Sequence, residues 1–271
     1  MEPPRRKVAQ VNWRDPRDGN PVKRRLAAGE TVFGSFVRLG CPEAVEVCAH
    51  AGFDFVVVDT EHSPMGDDLV ANLVRTADAT GIPAFVRAVD SQPERLGRLL
   101  ECAPLGVHLP QIRSSDEAAD AIRACKYAPE GIRGLATGRG SGFGLRMGLE
   151  QYVEAANQEG LVVLQVETAA ALEDADRIAQ LAGCDVIFLG LTDLTLDLGI
   201  PGEYAHPWIE RALAKAREAA ETAGVALGAP AASLNMARSL CEQGVRYVTS
   251  NDIRLLTDAA VTFMEGVRRD S

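Results

Sequence analysis

The sequence predicts a single (β/α)8 barrel, and three observations point to this fold class. A unit made of a short apolar run, a polar turn and an amphipathic helix repeats from about residue 22. About eight such units in roughly 250 residues match the strand count and length of a (β/α)8 barrel. Ionisable residues follow the ends of the apolar runs, whereas Gly, Pro and turn residues precede them. Alternating strands and helices imply a parallel sheet, so a doubly wound open sheet is the alternative.

The open sheet is the weaker alternative because its usual ligand-binding turns are missing. No predicted strand is followed by a G-x-G-x-x-G dinucleotide turn or a G-x-x-x-x-G-K-[ST] phosphate-binding loop. At 271 residues and 46% hydrophobic content, the chain can bury a full core. We expect a basic N-terminal arm over residues 1–21 and one barrel domain over residues 22–271.

Each predicted strand is a short apolar run bounded by turn residues, as is typical of buried parallel strands. The predicted strands are Val32–Val37, Phe53–Val58, Pro83–Val86, Leu105–Leu109, Leu161–Val166, Val186–Leu189, Val225–Leu227 and Val245–Thr249. Stretches rich in Ala, Leu, Glu and Arg separate them and predict helices, for example Asp67–Thr80, Asp116–Lys126, Ala169–Leu181 and Pro207–Ala223.

The composition argues against several classes of function. A net charge of −10 and a pI near 5.0 disfavour a nucleic-acid partner, which needs clustered Lys and Arg. No run has the length and apolarity of a membrane span, and we find no secretory signal. The six cysteines form no C-x-x-C pair, as expected for buried thiols in the reducing cytoplasm. Small molecules are therefore the expected partners.

The ends of the predicted strands carry a short set of polar side chains. In a (β/α)8 barrel, catalytic residues lie at the carboxyl ends of the strands. These positions hold Arg38, Asp59, Glu61, His62, Arg87, Gln165, Glu167, Asp193, Ser250, Asn251 and Asp252. This concentration at one edge favours an enzyme over a structural or interaction module.

Two carboxylates that follow neighbouring strands predict a metal site. Gln165 and Glu167 lie two residues apart at the end of the fifth strand, so both face the same side of the sheet. Asp193 comes just after the sixth strand. Carboxylate oxygens of this kind suit a hard divalent ion. The alternative is that Glu167 caps the following helix and that Asp193 is a turn residue.

One histidine and one arginine follow strand ends beside acids. His62 is the candidate acid or base, with a structural turn residue as the alternative. Arg87 suits a carboxylate or an enolate oxygen, although it could pair with Asp59 or Glu61 instead. The other histidines are expected at a helix end, in the core and at a helix start: His50, His108 and His206.

A glycine-rich stretch and a further arginine bear on substrate choice. Gly138–Gly144 follows a helix and a turn, and is either a surface loop or an active-site lid. Arg38 should point over the barrel mouth, where it and Arg139 would favour an acceptor that carries a carboxylate or a phosphate. The alternative is a rim salt bridge of Arg38 to Glu61 or Asp252.

Six short motifs occur in order along the chain: Ala51–Asp54, Asp59–His62, Val86–Arg87, Tyr127–Gly134, Gln165–Thr168 and Gly190–Thr195. From about residue 22 to the C-terminus, the sequence thereby resembles the HpcH/HpaI aldolase/citrate lyase family of metal-dependent (class II) pyruvate aldolases, of the 4-hydroxy-2-oxoheptanedioate and 2-dehydro-3-deoxyglucarate aldolase type. It departs from the family pattern at Phe36, Thr60 and Leu191, where the family usually has Trp, Gly and Pro. These departures put the substrate in doubt more than the reaction class.

The resemblance implies roles for the matching residues. The metal ligands would be Glu167 and Asp193, holding Mg2+ or Mn2+, with Co2+ as a third candidate. The catalytic residues would be His62, Arg87 and Glu101. The substrate contacts would come from Arg87, Gln165, Thr192 and Asp193, with Arg87 holding the pyruvyl oxygens. Glu101 falls where the family usually has an Asp that partners the histidine from an adjacent subunit.

The predicted last helix bears on assembly. The stretch Asp252–Val267 has apolar residues at helical spacing. The resemblance suggests that this helix docks on a neighbouring subunit in a hexamer, so that it would be exchanged between subunits. The alternative is a final barrel helix that packs on its own chain.

We expect a metal-dependent aldolase that forms or cleaves a C–C bond between a pyruvate enolate and an aldehyde. A Schiff-base aldolase would need a lysine at a strand end, whereas Lys126 and Lys215 fall in predicted helices. One alternative is an oxaloacetate-type decarboxylase or a CoA-thioester lyase that uses the same enolate. The other is a non-catalytic barrel that binds a small acid.

Overall fold

The computed structural model describes residues 19–269 and confirms the predicted fold class. Eight parallel strands close into a barrel in chain order, and the last strand pairs back to the first. This closure excludes the doubly wound open sheet. The predicted arm lies outside the described residues as far as residue 18, and its last residue, Pro21, already begins the first helix.

Strands and helices alternate along the chain. The strands are β1 Val32–Val37, β2 Phe55–Asp59, β3 Ala84–Arg87, β4 Gly106–Ile112, β5 Leu161–Val166, β6 Val186–Leu189, β7 Ala226–Pro230 and β8 Tyr247–Asn251. The helices are α1 Pro21–Ala27, α2 Pro42–Ala51, α3 Asp67–Thr80, α4 Pro93–Glu101, α5 Ser115–Cys125, α6 Leu149–Glu159, α7 Ala169–Glu173, α8 Ala175–Ala179, α9 Leu191–Asp197, α10 Pro207–Ala223, α11 Leu234–Glu242 and α12 Asp252–Arg269. A short 3-10 turn covers Arg139–Ser141.

The predicted boundaries shift where side chains bind the backbone. Phe53 lies outside β2, and next to it the Asp54 carboxylate accepts the Phe33 N–H at 2.8 Å before the strand begins. The predicted helix Ala169–Leu181 is broken at Asp174 into α7 and α8. The Asp174 carboxylate accepts the Ser115 N–H at 2.6 Å, which ties this break to the start of α5.

Capping residues start several helices close to the strand ends. The Thr168 hydroxyl accepts the Ala171 N–H at 3.1 Å at the start of α7, and the Ser114 hydroxyl accepts the Glu117 N–H at 3.3 Å at the start of α5. Proline opens helices α1, α2, α4 and α10, because its fixed φ suits the first helical turn. These local signals turn the chain away from the strand ends.

Aromatic side chains fill the barrel interior: Phe36, Phe55, Phe85, Phe188 and Tyr247. His108 is fully buried among them, with Nε2 2.7 Å from the Tyr247 hydroxyl. Among the described residues, its Nδ1 has no hydrogen-bond partner. The prediction of a hydrogen-bonded core histidine is therefore confirmed for only one of the two ring nitrogens. Burial, aided by the charge of Arg87, lowers the pKa of His108 well below its ordinary value and keeps the ring neutral.

The last helix, α12, presents apolar side chains that its own chain does not cover. It begins directly after β8, and its main contacts within the chain are with β1 and β8. Its exposed apolar residues are Leu255, Leu256, Val261, Phe263, Met264 and Val267. The helix thus touches its own barrel and leaves an apolar face exposed, and its docking on a neighbouring subunit stays a prediction.

Two expectations from composition can be compared with the structure. All six cysteines are free thiols; four are buried, whereas Cys41 and Cys241 are only partly buried. The expectation of buried thiols is thus wrong for these two. Among the described residues, none of the helices combines the length and the apolarity needed to cross a membrane.

Candidate active site

The carboxyl ends of β2 and β3 join a buried carboxylate to a buried guanidinium. Asp59 is fully buried, and Arg87 donates to both of its oxygens, from Nε at 2.9 Å and from Nη2 at 2.6 Å. The N–H groups of Glu61 and His62 also donate to Asp59, at 3.1 and 3.2 Å. Burial favours the neutral acid, but the hydrogen bonds and charge of Arg87 outweigh it and hold the pKa of Asp59 below its ordinary value.

The Arg87 guanidinium also contacts a second carboxylate and lies over an aromatic ring. Its Nη1 lies 3.1 Å from Glu61 Oε2, and its Cζ lies 4.6 Å from the centre of the Phe36 ring. Arg87 therefore pairs with both of the acids that the sequence offered as alternatives. The two ion pairs and the ring fix the guanidinium at the rim of the barrel.

The prediction that Arg38 forms a salt bridge with Glu61 or Asp252 is wrong. Its guanidinium Nε lies 3.5 Å from Asp59 Oδ2, and its Nη2 donates to the main-chain carbonyl of His62 at 3.2 Å. Asp252 instead accepts the main-chain N–H of Arg38, at 3.0 and 3.1 Å to its two oxygens. The Arg38 side chain is 34% exposed and lies at the mouth of the barrel.

His62 lies on the loop that follows β2, with its side chain 44% exposed. Its Nε2 is 3.8 Å from Glu61 Oε2, beyond hydrogen-bonding distance. The imidazole therefore faces solvent beside the Asp59 and Arg87 pair. The role of His62 as an acid or base stays a prediction.

Glu167 and Asp193 lie at the ends of β5 and β6, close enough for their charges to interact. Glu167 is 1% exposed, directly after β5, and Asp193 lies in the first turn of α9. Burial, followed by the charge of Glu61 and a smaller effect of Asp193, raises the pKa of Glu167 to about 8. Thr168, and not Glu167, caps α7, so the capping alternative for Glu167 is wrong.

Gly190, between β6 and α9, permits this approach. A Cβ at this position would lie 2.6 Å from Glu167 Cγ and 2.8 Å from Glu167 Oε1. Any side chain here would displace the Glu167 carboxylate. The glycine of the Gly190–Thr195 motif therefore brings the turn that carries Asp193 against Glu167.

A family model described as HpcH/HpaI aldolase/citrate lyase matches residues 33–251, from the second residue of β1 to the end of β8. The chain belongs to the HpcH/HpaI aldolase/citrate lyase family. It is 33% identical over 257 residues to the hydroxypyruvate/pyruvate aldolase of Paraburkholderia phytofirmans, covering 92% of this chain and 98% of that protein. It is 34% identical over 230 residues to the 4-hydroxy-2-oxovalerate aldolase of Rhodococcus jostii, covering 84% of this chain and 88% of that protein.

Solved structures of the HpcH/HpaI family agree with this assignment. A family member from Burkholderia cenocepacia superposes with a TM-score of 0.86 at 34% identity, covering 92% of this chain and 99% of that chain. The resemblance drawn from the motifs is thereby confirmed. The chain is a carbon–carbon lyase of the aldolase type, and the aldolases of its family are generally dependent on divalent metal ions.

Two predicted substrate contacts also lie at this rim. Gln165 is 1% exposed at the end of β5, and among the described residues its Oε1 has no hydrogen-bond partner. The Thr192 hydroxyl lies in the first turn of α9, 3.1 Å from the Tyr204 hydroxyl. The roles of both residues toward substrate stay predictions.

Sequence reasoning missed two residues near this site. Gln111 on β4 donates its main-chain N–H to Glu167 Oε2 at 3.1 Å. It lies two residues past Leu109, the predicted strand end, so the rule that singled out Glu61 and His62 could have found it. Tyr204, which contacts Thr192, lies in the loop after α9, where no pattern in the sequence indicated a site residue.

Two predicted contributors lie at the opposite end of the same barrel. Glu101 ends α4, which returns the chain toward the start of β4, and its carboxylate pairs with Arg133 at 3.4 Å. Arg139 pairs with Asp78 near the end of α3. Arg139 and Gly140 also line a cavity of about 110 Å3 beside the first residues of β4 and β5. The Gly138–Gly144 stretch therefore does not cover the candidate active site of its own chain. Arg139 and Arg38 lie at opposite ends of the barrel, so within one chain they do not form a single anion-binding site.

Proposed function

We propose that this protein is a divalent-metal-dependent aldolase that forms or cleaves a C–C bond between the enolate of pyruvate, or of a related 2-oxo acid, and an aldehyde. The observation that carries the proposal is the pair of carboxylates, Glu167 and Asp193, at neighbouring strand ends on the carboxyl rim, near the clamped guanidinium of Arg87. The names of the related aldolases support a 2-oxo acid and an aldehyde as substrates. Free thiols in all six cysteines suit the cytoplasm that we propose as its compartment.

The residues present fit a hard divalent ion. A buried carboxylate with a pKa of about 8, crowded by other acids, is the arrangement that a cation stabilises. Among the described residues, no three His, Cys, Asp or Glu side chains form a metal-binding group, so the protein would supply two ligands, Glu167 and Asp193. When Mg2+ or Mn2+ is bound, it supplies Lewis-acid stabilisation of the charge that develops on the enolate.

Arg87 would stabilise the same developing charge from a fixed position. Asp59 takes the Nε and Nη2 edge of the guanidinium, which leaves Nη1 toward Glu61 and the mouth of the site. A guanidinium clamped in this way needs little reorganisation as negative charge grows on the oxygens of the 2-oxo acid. Gln165 and Thr192 would contribute neutral hydrogen-bonding groups to substrate binding.

His62 would move the protons. In condensation it would accept a methyl proton of the 2-oxo acid and later assist protonation of the new alkoxide. In cleavage it would take the hydroxyl proton of the substrate. Its 44% exposure lets the imidazole exchange that proton with solvent.

Glu101 would partner His62 only across a subunit boundary. Within one chain it lies at the far end of the barrel, so a second copy is needed to bring it to the site. We propose a homohexamer in which α12 docks its exposed apolar face on a neighbouring subunit. Light scattering should give a mass near six times 28.9 kDa, and a mass near 28.9 kDa at micromolar protein would contradict the assembly.

The experiment that tests the activity combines substrates, metals and matched variants. The enzyme is incubated with pyruvate, a panel of aldehydes and Mn2+ or Mg2+, and products are read by mass. A chelator, Glu167→Gln and Asp193→Asn should each abolish condensation, whereas Glu173→Gln, at an exposed carboxylate on α7, should not. Chelator-insensitive turnover would contradict the proposal. Oxaloacetate decarboxylation without any aldehyde turnover would favour the lyase alternative.

A further inference from the structure

Gln111 adopts a backbone conformation that its residue type rarely takes. Its φ is +57°, in the left-handed region that favours glycine. The β4–β5 ladder loses its regular register between Leu109 and Ile112, so Gln111 lies in a bulge of β4. Bulges and positive φ values at non-glycine residues cluster near functional sites, where they redirect backbone groups. The bulge and the positive φ of Gln111 therefore indicate a functional role for this backbone position.

The bulge turns one backbone donor toward the acids of the site. A regular strand directs its N–H groups at the neighbouring strands. The Gln111 N–H instead donates to Glu167 Oε2 at 3.1 Å. Glu167 is almost fully buried, so this hydrogen bond restricts the orientation of its carboxylate.

The Gln111 side chain lies beside the second acid of this cluster. Burial raises the pKa of the Glu61 carboxyl, and the Gln111 amide beside it opposes that rise. Glu61 also lies 3.1 Å from Arg87 and repels the charge of Glu167. Gln111 thus donates its main-chain N–H to Glu167 at 3.1 Å and has its side-chain amide beside Glu61.

We propose that Gln111 is a positioning residue for the metal site. Its N–H donates to Glu167 Oε2 and sets the direction of that carboxylate, while its amide lies beside Glu61. The inference rests on the proposed function, in which Glu167 and Asp193 bind the ion. Hydrogen bonds to a metal ligand orient it, and their loss typically weakens metal affinity 10- to 100-fold.

The test measures Mn2+ affinity directly, by the electron paramagnetic resonance of free Mn2+ titrated into the full-length protein. Gln111→Gly keeps the N–H but frees the backbone from φ +57°, so the donor to Glu167 loses its fixed direction and the Kd for Mn2+ should rise about tenfold. Gln111→Met keeps the length and the N–H but loses the amide beside Glu61, and should raise the Kd less than Gln111→Gly does. Ala103→Gly is the matched control, because Ala103 has φ +61° just before β4, away from the rim. It should leave the Kd unchanged.

A merely structural role would change the Tm of the Gln111 variants and leave their Kd for Mn2+ as in the wild type. That result, with Glu167→Gln impaired in the same titration, would overturn this inference alone. Equal loss of affinity in Ala103→Gly would also overturn it. Wild-type Mn2+ binding that survives Glu167→Gln would overturn the proposed function, and this inference with it.

Discussion

Replacing Glu167 by glutamine should make the metal-free protein more stable at alkaline pH. The buried Glu167 carboxyl has its pKa raised to about 8, mainly by burial and then by the charge of Glu61. In the unfolded chain the same group ionises near its ordinary value of 4.5. The folded state therefore holds a proton that the unfolded state releases, so stability falls as the pH rises from about 4.5 to 8.

The size of the effect follows from that difference in pKa. A shift of 8 − 4.5, or 3.5 units, at about 1.4 kcal/mol per unit corresponds to about 5 kcal/mol of lost stability above pH 8. Below pH 4.5 the loss disappears because both states are protonated. Glutamine cannot ionise, and its amide oxygen can still accept the Gln111 N–H. Glu167→Gln should therefore gain stability relative to the wild type as the pH rises.

The assay is urea unfolding at pH 5, 7 and 9, with a chelator and then with Mn2+, at one protein concentration. With chelator, the variant should match the wild type near pH 5 and exceed it by several kcal/mol at pH 9. Mn2+ should stabilise the wild type and not the variant. Glu173→Gln, at an exposed carboxylate, is the control and should follow the wild type throughout. Equal pH dependence in Glu167→Gln and wild type would refute the reasoning.

Three further substitutions test the other parts of the site. His62→Ala should slow exchange of the pyruvate methyl protons by a factor on the order of 10² to 10⁴, and unchanged exchange, followed by NMR in deuterium oxide, would assign the base role to water. Arg87→Lys should lower kcat/KM roughly tenfold or more, because an ammonium cannot span both oxygens of Asp59; kinetics equal to those of the wild type would show that the fork is dispensable. Arg38→Ala should raise KM for acceptors that carry a carboxylate or phosphate and spare neutral aldehydes, whereas equal loss for both would mean that Arg38 acts through Asp59 and the His62 carbonyl.

The sequence was sufficient for the fold and for the rim acids because both depend on local patterns. Apolar runs of strand length, each followed by a capped helix, specify a parallel αβ repeat, and eight of them close into a barrel. The carboxyl end of each strand then follows from its place in the run. Glu167 and Asp193, which follow neighbouring strands, could thus be placed together without any knowledge of distances.

The partners of the charged side chains could not be read in this way. The sequence offered Glu61 and Asp252 for Arg38, whereas the structure pairs it with Asp59. Several acids lie within reach of one guanidinium at a barrel rim, and small differences in backbone direction choose among them. The Asp252 carboxylate is already occupied by the N–H groups of Arg38 and Leu39, which sequence spacing does not reveal.

By itself, the sequence determined the barrel, its family and the acids at its rim, because strand periodicity, turn residues and motif spacing are properties of the chain. Only the tertiary structure decided that Glu101 and the Gly138–Gly144 stretch lie at the opposite end from His62. It alone revealed the bulge that turns the Gln111 N–H toward Glu167. These features depend on how the closed barrel sets distant segments against one another, and distances of that kind have no counterpart in local sequence.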